Sequence, residues 1–294
     1  MKAYPLKLIP YKKGVVWGGT ALKNNYGKDF VGNDLGETWE LSVRIKENSV
    51  IDNGAYKGMT LKEYLGDPSD FPLLVKFLDA NDSLSVQVHP EKTEMWYIVE
   101  ASEDAKLVYG LNESYNRDET KKAIEEGTLE NHLRYVPVKA GEVYFIPSGL
   151  THAICKGIVI AEIQENSDIT YRLYDYNRPG PDGKLRELHI NESLDTIKDI
   201  TDEDIQSERY SLGKTSEANL ANCRFFTVDK YDFTGKKSFE NDSFRHILCL
   251  DGKGYINGEP IKKGDGYFIP KGLNSYDITS EAGISVIIST TKGY

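Results

Sequence analysis

Two histidines and one glutamate stand at spacings that suit a metal site. His89 and Glu94 lie five residues apart in the segment SVQVHPEKTEMWY, and His152 ends the segment GEVYFIPSGLTH. Two imidazoles and a carboxylate form a ligand set that binds catalytic Zn²⁺ and leaves a position open for water or substrate. Gln87, two residues before His89, could supply a fourth ligand oxygen. These ligands also accept Fe, Mn, Co or Ni, so the residues predict a divalent metal ion and favour zinc.

The frame around His152 occurs twice in the chain. In Gly141–His152 and in Gly264–Ser275, Gly, Tyr-Phe-Ile-Pro and Gly-Leu stand at the same offsets, but the second copy ends in Ser275 instead of histidine. A repeat of this size with fixed Gly and Pro offsets indicates two similar β modules. We therefore expect a metal site in the first module and a metal-free, structural role for the second.

The elements that position these residues are mostly short strands. In SLSVQVH, Ser83–His89, the polar residues alternate with Leu and Val, so that period two places them on one face of a strand. A face of Ser, Gln and His suits the wall of a wet cavity. The segment Arg117–Arg134 breaks the strand rhythm and predicts one or two helices, interrupted near Gly127, that are inserted into the β structure.

Composition excludes several classes of function. The net charge is −10 with a pI of about 5.1 and no run of Lys or Arg, which argues against nucleic acid as a partner. No apolar run approaches the roughly 18 residues of a spanning helix, and the N-terminus lacks the pattern of a signal peptide. Three widely spaced cysteines favour reduced thiols and a cytoplasmic protein. Monomer and homodimer both remain open.

The motifs together resemble the cupin superfamily and, more closely, the short bacterial and archaeal form of the type I phosphomannose isomerases. The similar segments follow the order of that family and span about residues 17–190. They are WELSV (Trp39–Val43), PLLVKFLDA (Pro72–Ala80), LSVQVHP (Leu84–Pro90), KTEMWY (Lys92–Tyr97), IPSGLTHAI (Ile146–Ile154) and QENSDITYRLYDYNR (Gln164–Arg178).

The resemblance implies an all-β fold with a few helices, built from two cupin-type β barrels or jelly rolls. The first, residues 1–200, would be the metal-binding catalytic domain and carry the helical insertion, and residues 201–294 would form a degenerate, metal-free cupin domain. The implied activity is the metal-dependent interconversion of mannose 6-phosphate and fructose 6-phosphate. The small-molecule partner would therefore be a sugar phosphate.

The resemblance also implies roles for residues at matching positions. The metal ligands fall on Gln87, His89, Glu94 and His152. The active-site arginine falls on Arg172, and residues that contact substrate or move protons fall on Lys76, Ser85, Lys92 and Glu162. One departure concerns the cover of the site: short family members often carry an insert between the His-Pro pair and the Glu, whereas only PEKT stands there in this chain.

The chemistry of aldose–ketose isomerisation leaves the proton carrier open. The reaction moves a proton between C1 and C2 through an enediol(ate), which needs a base and stabilisation of charge on oxygen. Glu162 follows an apolar strand, so burial could raise its pKa into the range of a base. Lys92 and a metal-bound water are the competing candidates. Arg172 can fork onto a phosphate or an enediolate oxygen, and Lys76, within the apolar segment LLVKFL, either meets an anionic substrate or pairs with a buried carboxylate.

Two other functions are compatible with the same residues. His89, Glu94 and His152 could form the facial triad of an Fe(II) oxygenase. Alternatively, the chain could bind a sugar phosphate without turning it over. The cations Lys76, Lys92 and Arg172 favour a sugar phosphate over the oxygenase reaction.

Overall fold

The computed structural model describes residues 3–32, 34–180, 182–199, 209–211 and 216–291. The strands up to residue 174 are β1 (Leu6–Ile9), β2 (Tyr11–Gly19), β3 (Leu35–Leu41), β4 (Val50–Ile51), β5 (Leu73–Ala80), β6 (Val86–Val88), β7 (Glu94–Ala101), β8 (Lys106–Leu111), β9 (Leu133–Pro137), β10 (Glu142–Ile146), β11 (His152–Ile154), β12 (Ile158–Glu165) and β13 (Tyr171–Tyr174). The remaining strands are β14 (Arg209–Ser211), β15 (Glu217–Asn222), β16 (Thr227–Glu240), β17 (Arg245–Ile256), β18 (Glu259–Lys262), β19 (Gly266–Ile269) and β20 (Ser275–Thr290). The helices are α1 (Ala21–Tyr26), α2 (Leu61–Tyr64), α3 (Arg117–Glu125) and α4 (Ile190–Thr196), with 3₁₀ turns at Gly54–Tyr56 and Leu129–His132.

Two antiparallel sheets enclose the core of the N-terminal module. One has the order β14-β10-β7-β12-β5-β2-β3 and the other the order β13-β6-β11-β8-β9. Trp96, Tyr144 and Ile160 of the seven-stranded sheet pack in one cluster with Leu107 and Ile154 of the five-stranded sheet. Burial of apolar side chains between two alternating faces is what holds such a sandwich together. The prediction of an all-β fold with a few helices is confirmed.

The C-terminal module is one antiparallel sheet with the order β15-β16-β20-β17-β19-β1-β4, and β18 pairs with β17. Its own core contains Ile247, Tyr267, Ile278 and Val286, all buried. A second and larger cluster joins it to the outer face of the seven-stranded sheet, where Phe77 packs with residues such as Phe268. The C-terminal module therefore covers the back of the sheet whose other face lines the predicted site.

The two modules exchange strands. β1, near the N-terminus, pairs with β19 from Leu6 opposite Phe268 to Leu8 opposite Gly266. In the other direction, β14 pairs with β10, with Ser211 opposite Glu142. The predicted division into residues 1–200 and 201–294 stays a prediction, because its boundary lies outside the described residues.

The helical insertion forms where the sequence places it. The side chain of Asn116 caps α3 by accepting hydrogen bonds from the amides of Asp118 and Glu119 at 3.0 and 3.2 Å. Gly127 then takes a φ of +70°, which ends the helix before the 3₁₀ turn at Leu129–His132. Ala123 and Leu129 are among the residues that pack against the five-stranded sheet.

One histidine of the C-terminal module, His246 on β17, is buried against the N-terminal module and does not belong to a site. His246 is 1% exposed, and its ring hydrogen-bonds to the backbone of Glu40. Burial lowers the pKa of His246 from 6.5 to about 3, and the charge of Lys28 adds to that effect. Within the described residues, no helix has both the length and the apolar character needed to cross a membrane.

Candidate metal centre and active site

The three predicted protein ligands meet at one point. Ligand atoms of His89, Glu94 and His152 all lie within 4.8 Å of one another, and the three side chains are at most 1% exposed. His152 begins β11 in the five-stranded sheet, whereas Glu94 begins β7 in the facing sheet. His89 follows β6 directly. The centre therefore joins the two sheets, as the spacing of the motifs predicted.

Backbone carbonyls fix the orientation of both imidazoles. Nδ1 of His89 donates to the carbonyl of Ile169 at 2.9 Å, and Nδ1 of His152 donates to the carbonyl of Leu150 at 2.8 Å. Each Nε2 then carries a lone pair that points into the centre. Burial is the main reason why the pKa of His89 falls and that of His152 falls to about 3. Both rings are thus held neutral, which is the form that ligates metals.

The donor set fits a cation. Nε2 of His89 lies 3.3 Å from Oε1 of Glu94 and has no hydrogen-bond partner. Two atoms that offer only lone pairs face each other there in a buried position, which is unfavourable unless a positive ion lies between them. The described residues therefore fit a divalent metal ion held by His89, Glu94 and His152.

Gln87 lies beside this centre through strand register. It stands directly opposite His152 on β11 and opposite Arg172 on β13. Its amide group is 3.3 Å from Nε2 of His152. Because the oxygen and nitrogen of an amide are exchanged by a 180° flip, the same position can present Oε1 as a ligand. The assignment of Gln87 as fourth ligand stays a prediction.

Glu94 is fixed by two further contacts. Nε1 of Trp96 donates to its Oε2 at 2.9 Å, and Nζ of Lys92 lies 2.6 Å from its Oε1. Burial alone would raise the pKa of Glu94, but the Lys92 ammonium and the two histidines together outweigh burial and hold the pKa well below 4.5. The carboxylate of Glu94 therefore stays ionised. The Trp96 ring also meets the ring of His152 edge-on at 5.4 Å.

A cavity of about 530 Å³ lies beside the centre, and Gln87, Lys92 and Trp96, which contact His152 or Glu94, are among its lining residues. All of the predicted catalytic and substrate-binding residues line it, together with Gln87: Lys76, Ser85, Lys92, Glu162 and Arg172. This size is within the range of about 300–1,000 Å³ that is usual for small-molecule sites. Larger cavities occur on the C-terminal module, but the described residues that line them include none of the predicted site residues.

A cross-strand row builds the wall of this cavity in the seven-stranded sheet. Lys76 on β5 stands opposite Glu162 on β12, which in turn stands opposite Trp96 on β7. On its other side, Lys76 stands opposite Trp39, and its ammonium lies 5.0 Å from the centre of that ring. Directly opposite residues share a face of the sheet, so the register alone points these side chains into one cavity.

Lys76 and Glu162 form a buried ion pair, and the pKa values of both groups are raised. Nζ of Lys76 lies 3.4 Å from Oε2 of Glu162. Burial, followed by the charge of Glu94, raises the pKa of Glu162 to about 7. Burial would lower the pKa of Lys76, but the carboxylates of Glu162 and Glu37 raise it. The site therefore contains a permanent ammonium beside a carboxyl group that can exchange a proton near neutral pH.

Arg172 lies on the opposite wall. Its Nε donates to Oγ of Ser85 at 3.3 Å, and its Nη1 donates to the carbonyl of Glu187 at 2.8 Å. His189, which the sequence gave no reason to single out, donates its backbone amide to the carbonyl of Arg172 at 2.9 Å, and its ring Nδ1 accepts from the amide of Arg172 at 3.3 Å. Among the described residues, no carboxylate forms an ion pair with Arg172, so its charge is available to an anion in the cavity.

The cavity also has lining residues that sequence reasoning missed: Lys13, Glu37, Trp39, Arg44, Asp168 and Arg186. Trp39 had a usable signal, since it begins the family-like segment WELSV. Asp168 likewise lies in the family-like segment Gln164–Arg178. Lys13 and Glu37 lie within β2 and β3, and Arg44 and Arg186 lie outside the strands, none of them in a recognised motif. Their place in the site follows only from which strands are neighbours.

Comparison with known proteins agrees with this geometry. The family model "Phosphomannose isomerase type I, catalytic domain" matches residues 6–108, and "Mannose-6-phosphate isomerase, cupin domain" matches residues 216–289. The chain is 37% identical to mannose-6-phosphate isomerase ManA of Bacillus subtilis, over 96% of this chain and 98% of that protein. It is 35% identical to the mannose-6-phosphate isomerase of Streptococcus mutans, over 96% and 97% of the two chains.

Solved structures share the whole fold. The crystal structure of mannose 6-phosphate isomerase from Bacillus subtilis superimposes with a TM-score of 0.85 at 31% identity, over 97% of this chain and 99% of that one. A variant of phosphomannose isomerase from Salmonella typhimurium has a TM-score of 0.76 at 16% identity, over 97% and 99% of the chains, and shows likeness of fold alone. From the relatives that match it over nearly their whole length, we conclude that this chain belongs to the type I phosphomannose isomerase family of the cupin superfamily.

Proposed function

We propose that this protein interconverts mannose 6-phosphate and fructose 6-phosphate. One observation carries the proposal most directly: the buried His89–Glu94–His152 centre contacts residues that line a cavity. The same cavity is lined by an acid–base carboxyl group and by an arginine that has no carboxylate partner among the described residues. An enediol(ate) reaction needs a cation near the substrate oxygens, a base and an anion-binding group. The family of the chain supplies the name of the substrate.

His89, Glu94 and His152 would hold the metal ion, with Gln87 as the fourth ligand. When bound, a divalent ion in this position polarises or orients the oxygens at C1 and C2 of the sugar. We infer zinc from two neutral imidazoles and one carboxylate, a set that binds catalytic Zn²⁺. Trp96 and Lys92 keep the carboxylate of Glu94 in place and ionised.

Glu162 is our candidate for the base that moves the proton between C1 and C2. Its pKa of about 7 lies near the operating pH, where a group can both accept and return a proton. The neighbouring ammonium of Lys76 stays protonated and stabilises the charged form of the carboxyl group. Lys92 is the alternative, but its Nζ is already engaged with Glu94.

Arg172 and Ser85 would bind the substrate on the opposite wall. The guanidinium of Arg172 can place two N–H groups on an oxyanion, whether that of the phosphate or that of the enediolate. Its hydrogen bonds to Ser85 and to the backbone of Glu187 fix its direction.

The protein thus binds a small sugar phosphate. The free thiols of Cys155, Cys223 and Cys249 are consistent with a cytoplasmic location.

A coupled assay with mannose 6-phosphate tests the proposal. Turnover to fructose 6-phosphate should be present in the purified protein, should disappear after chelation and should return with Zn²⁺. Binding of the sugar phosphate without turnover would leave a non-catalytic sugar-phosphate-binding protein instead. Substrate-dependent oxygen uptake with bound iron would point to an oxygenase.

A further inference from the structure

The cations that line the cavity differ in the burial of their partners. Four of them pair with carboxylates whose side chains are at most 10% exposed. These pairs are Lys13–Glu37, Lys76–Glu162, Lys92–Glu94 and Arg186–Asp175. Arg44 also pairs with a carboxylate, that of Asp168, but this partner is 62% exposed. Among the described lining cations that form ion pairs, Arg44 is therefore the one whose carboxylate partner is largely exposed to solvent.

Arg44 and Asp168 both line the cavity, and the exposure of Asp168 places their ion pair on the side of the cavity that faces solvent. Arg44 lies on the turn closed by the bridge between Val43 and Asn48, and Nδ2 of Asn48 donates to its carbonyl at 3.1 Å. Asp168 lies on the segment between β12 and β13. The next residue of that segment, Ile169, accepts the hydrogen bond from Nδ1 of the metal ligand His89. The backbone on both sides is thus anchored, while the two charged groups remain free to part.

We propose that Arg44 leaves Asp168 on substrate binding and takes the phosphate group of the sugar. This inference rests on the proposed function, since it names the end of the cavity that holds the phosphate. The phosphate sits on C6, at the far end of the carbon chain from C1 and C2. When the reacting carbons lie at the metal centre, the phosphate lies at the other end of the substrate, and the solvent-facing side of the cavity with Arg44 can receive it.

The exchange of partners is favourable for physical reasons. An ion pair with an exposed carboxylate contributes little to stability, so its loss costs little. A phosphate carries close to two negative charges and accepts both N–H groups of a guanidinium. Lys13, Lys76 and Lys92 would each leave a buried carboxylate without its ammonium partner if they turned to the phosphate, and that cost is much larger. Arg186 would give up two hydrogen bonds to Asp175, which keeps Arg178 as its other partner.

Two variants of the Arg44–Asp168 ion pair distinguish a role of Arg44 in phosphate binding from a purely structural role. Arg44→Gln should raise the KM for mannose 6-phosphate by about tenfold to a hundredfold, the loss expected for a hydrogen-bonded charge, with little change in kcat. Asp168→Asn breaks the same pair but frees Arg44, so its KM should fall or stay as it is. Equal increases of KM in both variants would show that the pair only holds the two loops together, and would overturn the proposal.

A matched control removes a surface charge elsewhere. Arg117 pairs with Asp195, and the two side chains are 43 and 67% exposed. Arg117→Gln should leave KM unchanged. A rise equal to that of Arg44→Gln would mean that net charge alone explains the effect, and would also overturn the proposal.

Measuring the binding of inorganic phosphate directly tests the role of Arg44 independently of isomerase activity. By calorimetry, the wild-type protein should bind phosphate, Arg44→Gln should bind it more weakly by a similar factor, and Asp168→Asn should bind it at least as well. If this pattern holds in a protein that does not isomerise mannose 6-phosphate, the proposed function fails while the role of Arg44 stands. If the protein isomerises the substrate but Arg44→Gln retains both KM and phosphate affinity, only the role of Arg44 is wrong.

Discussion

Replacing Trp96 by phenylalanine should weaken metal binding although no ligand is removed. Nε1 of Trp96 donates to Oε2 of Glu94 at 2.9 Å, and both side chains are 1% exposed. Phenylalanine keeps an aromatic ring beside His152 but has no donor, so the carboxylate loses a hydrogen bond in a place that water does not reach. The carboxylate is then free to rotate, and metal binding must fix its position without the help of Trp96.

The size of the effect follows from this bond. A hydrogen bond to a charged group contributes about 1.5–3 kcal/mol, which corresponds to roughly a 10- to 150-fold increase in the Kd for the metal. Losses of about 10- to 100-fold are usual when an outer partner of a metal ligand is removed. Since the three ligands remain, saturating metal should restore most of kcat.

The assay is a titration of the apo protein with Zn²⁺ in the presence of a competing chelator, with isomerase activity followed at each free metal concentration. Trp17→Phe is the matched control, because Trp17 packs in the same cluster and lines the same cavity, while the Nε1 bond to Glu94 comes from Trp96. Trp17→Phe should lose some stability and keep its metal affinity. Equal metal affinities for the wild type and Trp96→Phe would refute the idea that this bond holds the ligand.

Three further results are expected. His152→Ala should remove the metal and the isomerase activity together, measured by metal analysis and the coupled assay; activity without metal would refute the ligand assignment. Arg172→Lys should lose most of kcat/KM and keep the metal, because lysine lacks the planar fork; wild-type kinetics would make Arg172 merely structural. His246→Gln should reduce acid sensitivity, seen as a shallower pH slope in urea unfolding. The folded-state pKa of about 3 lies below the unfolded value of 6.5, so the stability from neutral His246 is complete above pH 6.5 and is lost as the pH falls toward 3, by at most about 1.4 kcal/mol per pH unit. An unchanged slope would contradict this.

The grouping of His89, Glu94 and His152 could be predicted because its signal is local. His89 and Glu94 lie on either side of one short turn, and His152 follows a turn fixed by Gly and Pro at set offsets. Alternation of polar and apolar residues likewise placed Ser85 and Gln87 on a cavity wall, where the structure has them. Each of these predictions needs only the geometry of one strand or one turn.

Other features depend on which strands become neighbours, and no local pattern carries that information. Trp39, Lys76 and Glu162 form one row only because β3, β5 and β12 pair in this register. Arg44 and Asp168 meet across 124 positions of sequence. The raised pKa of Glu162 also depends on this packing, since burial and the charge of Glu94 act through space.

Short-range spacing and periodicity thus encode the β strands, the repeat and the grouping of His89, Glu94 and His152, and the quoted segments carry the resemblance to the family. In contrast, the folded chain alone shows how the first strand joins the C-terminal sheet, which cations have buried partners, and which cation of the cavity pairs with an exposed carboxylate. The physical reason is that burial and electrostatic contact are properties of assembled neighbours, which the chain brings together from distant positions.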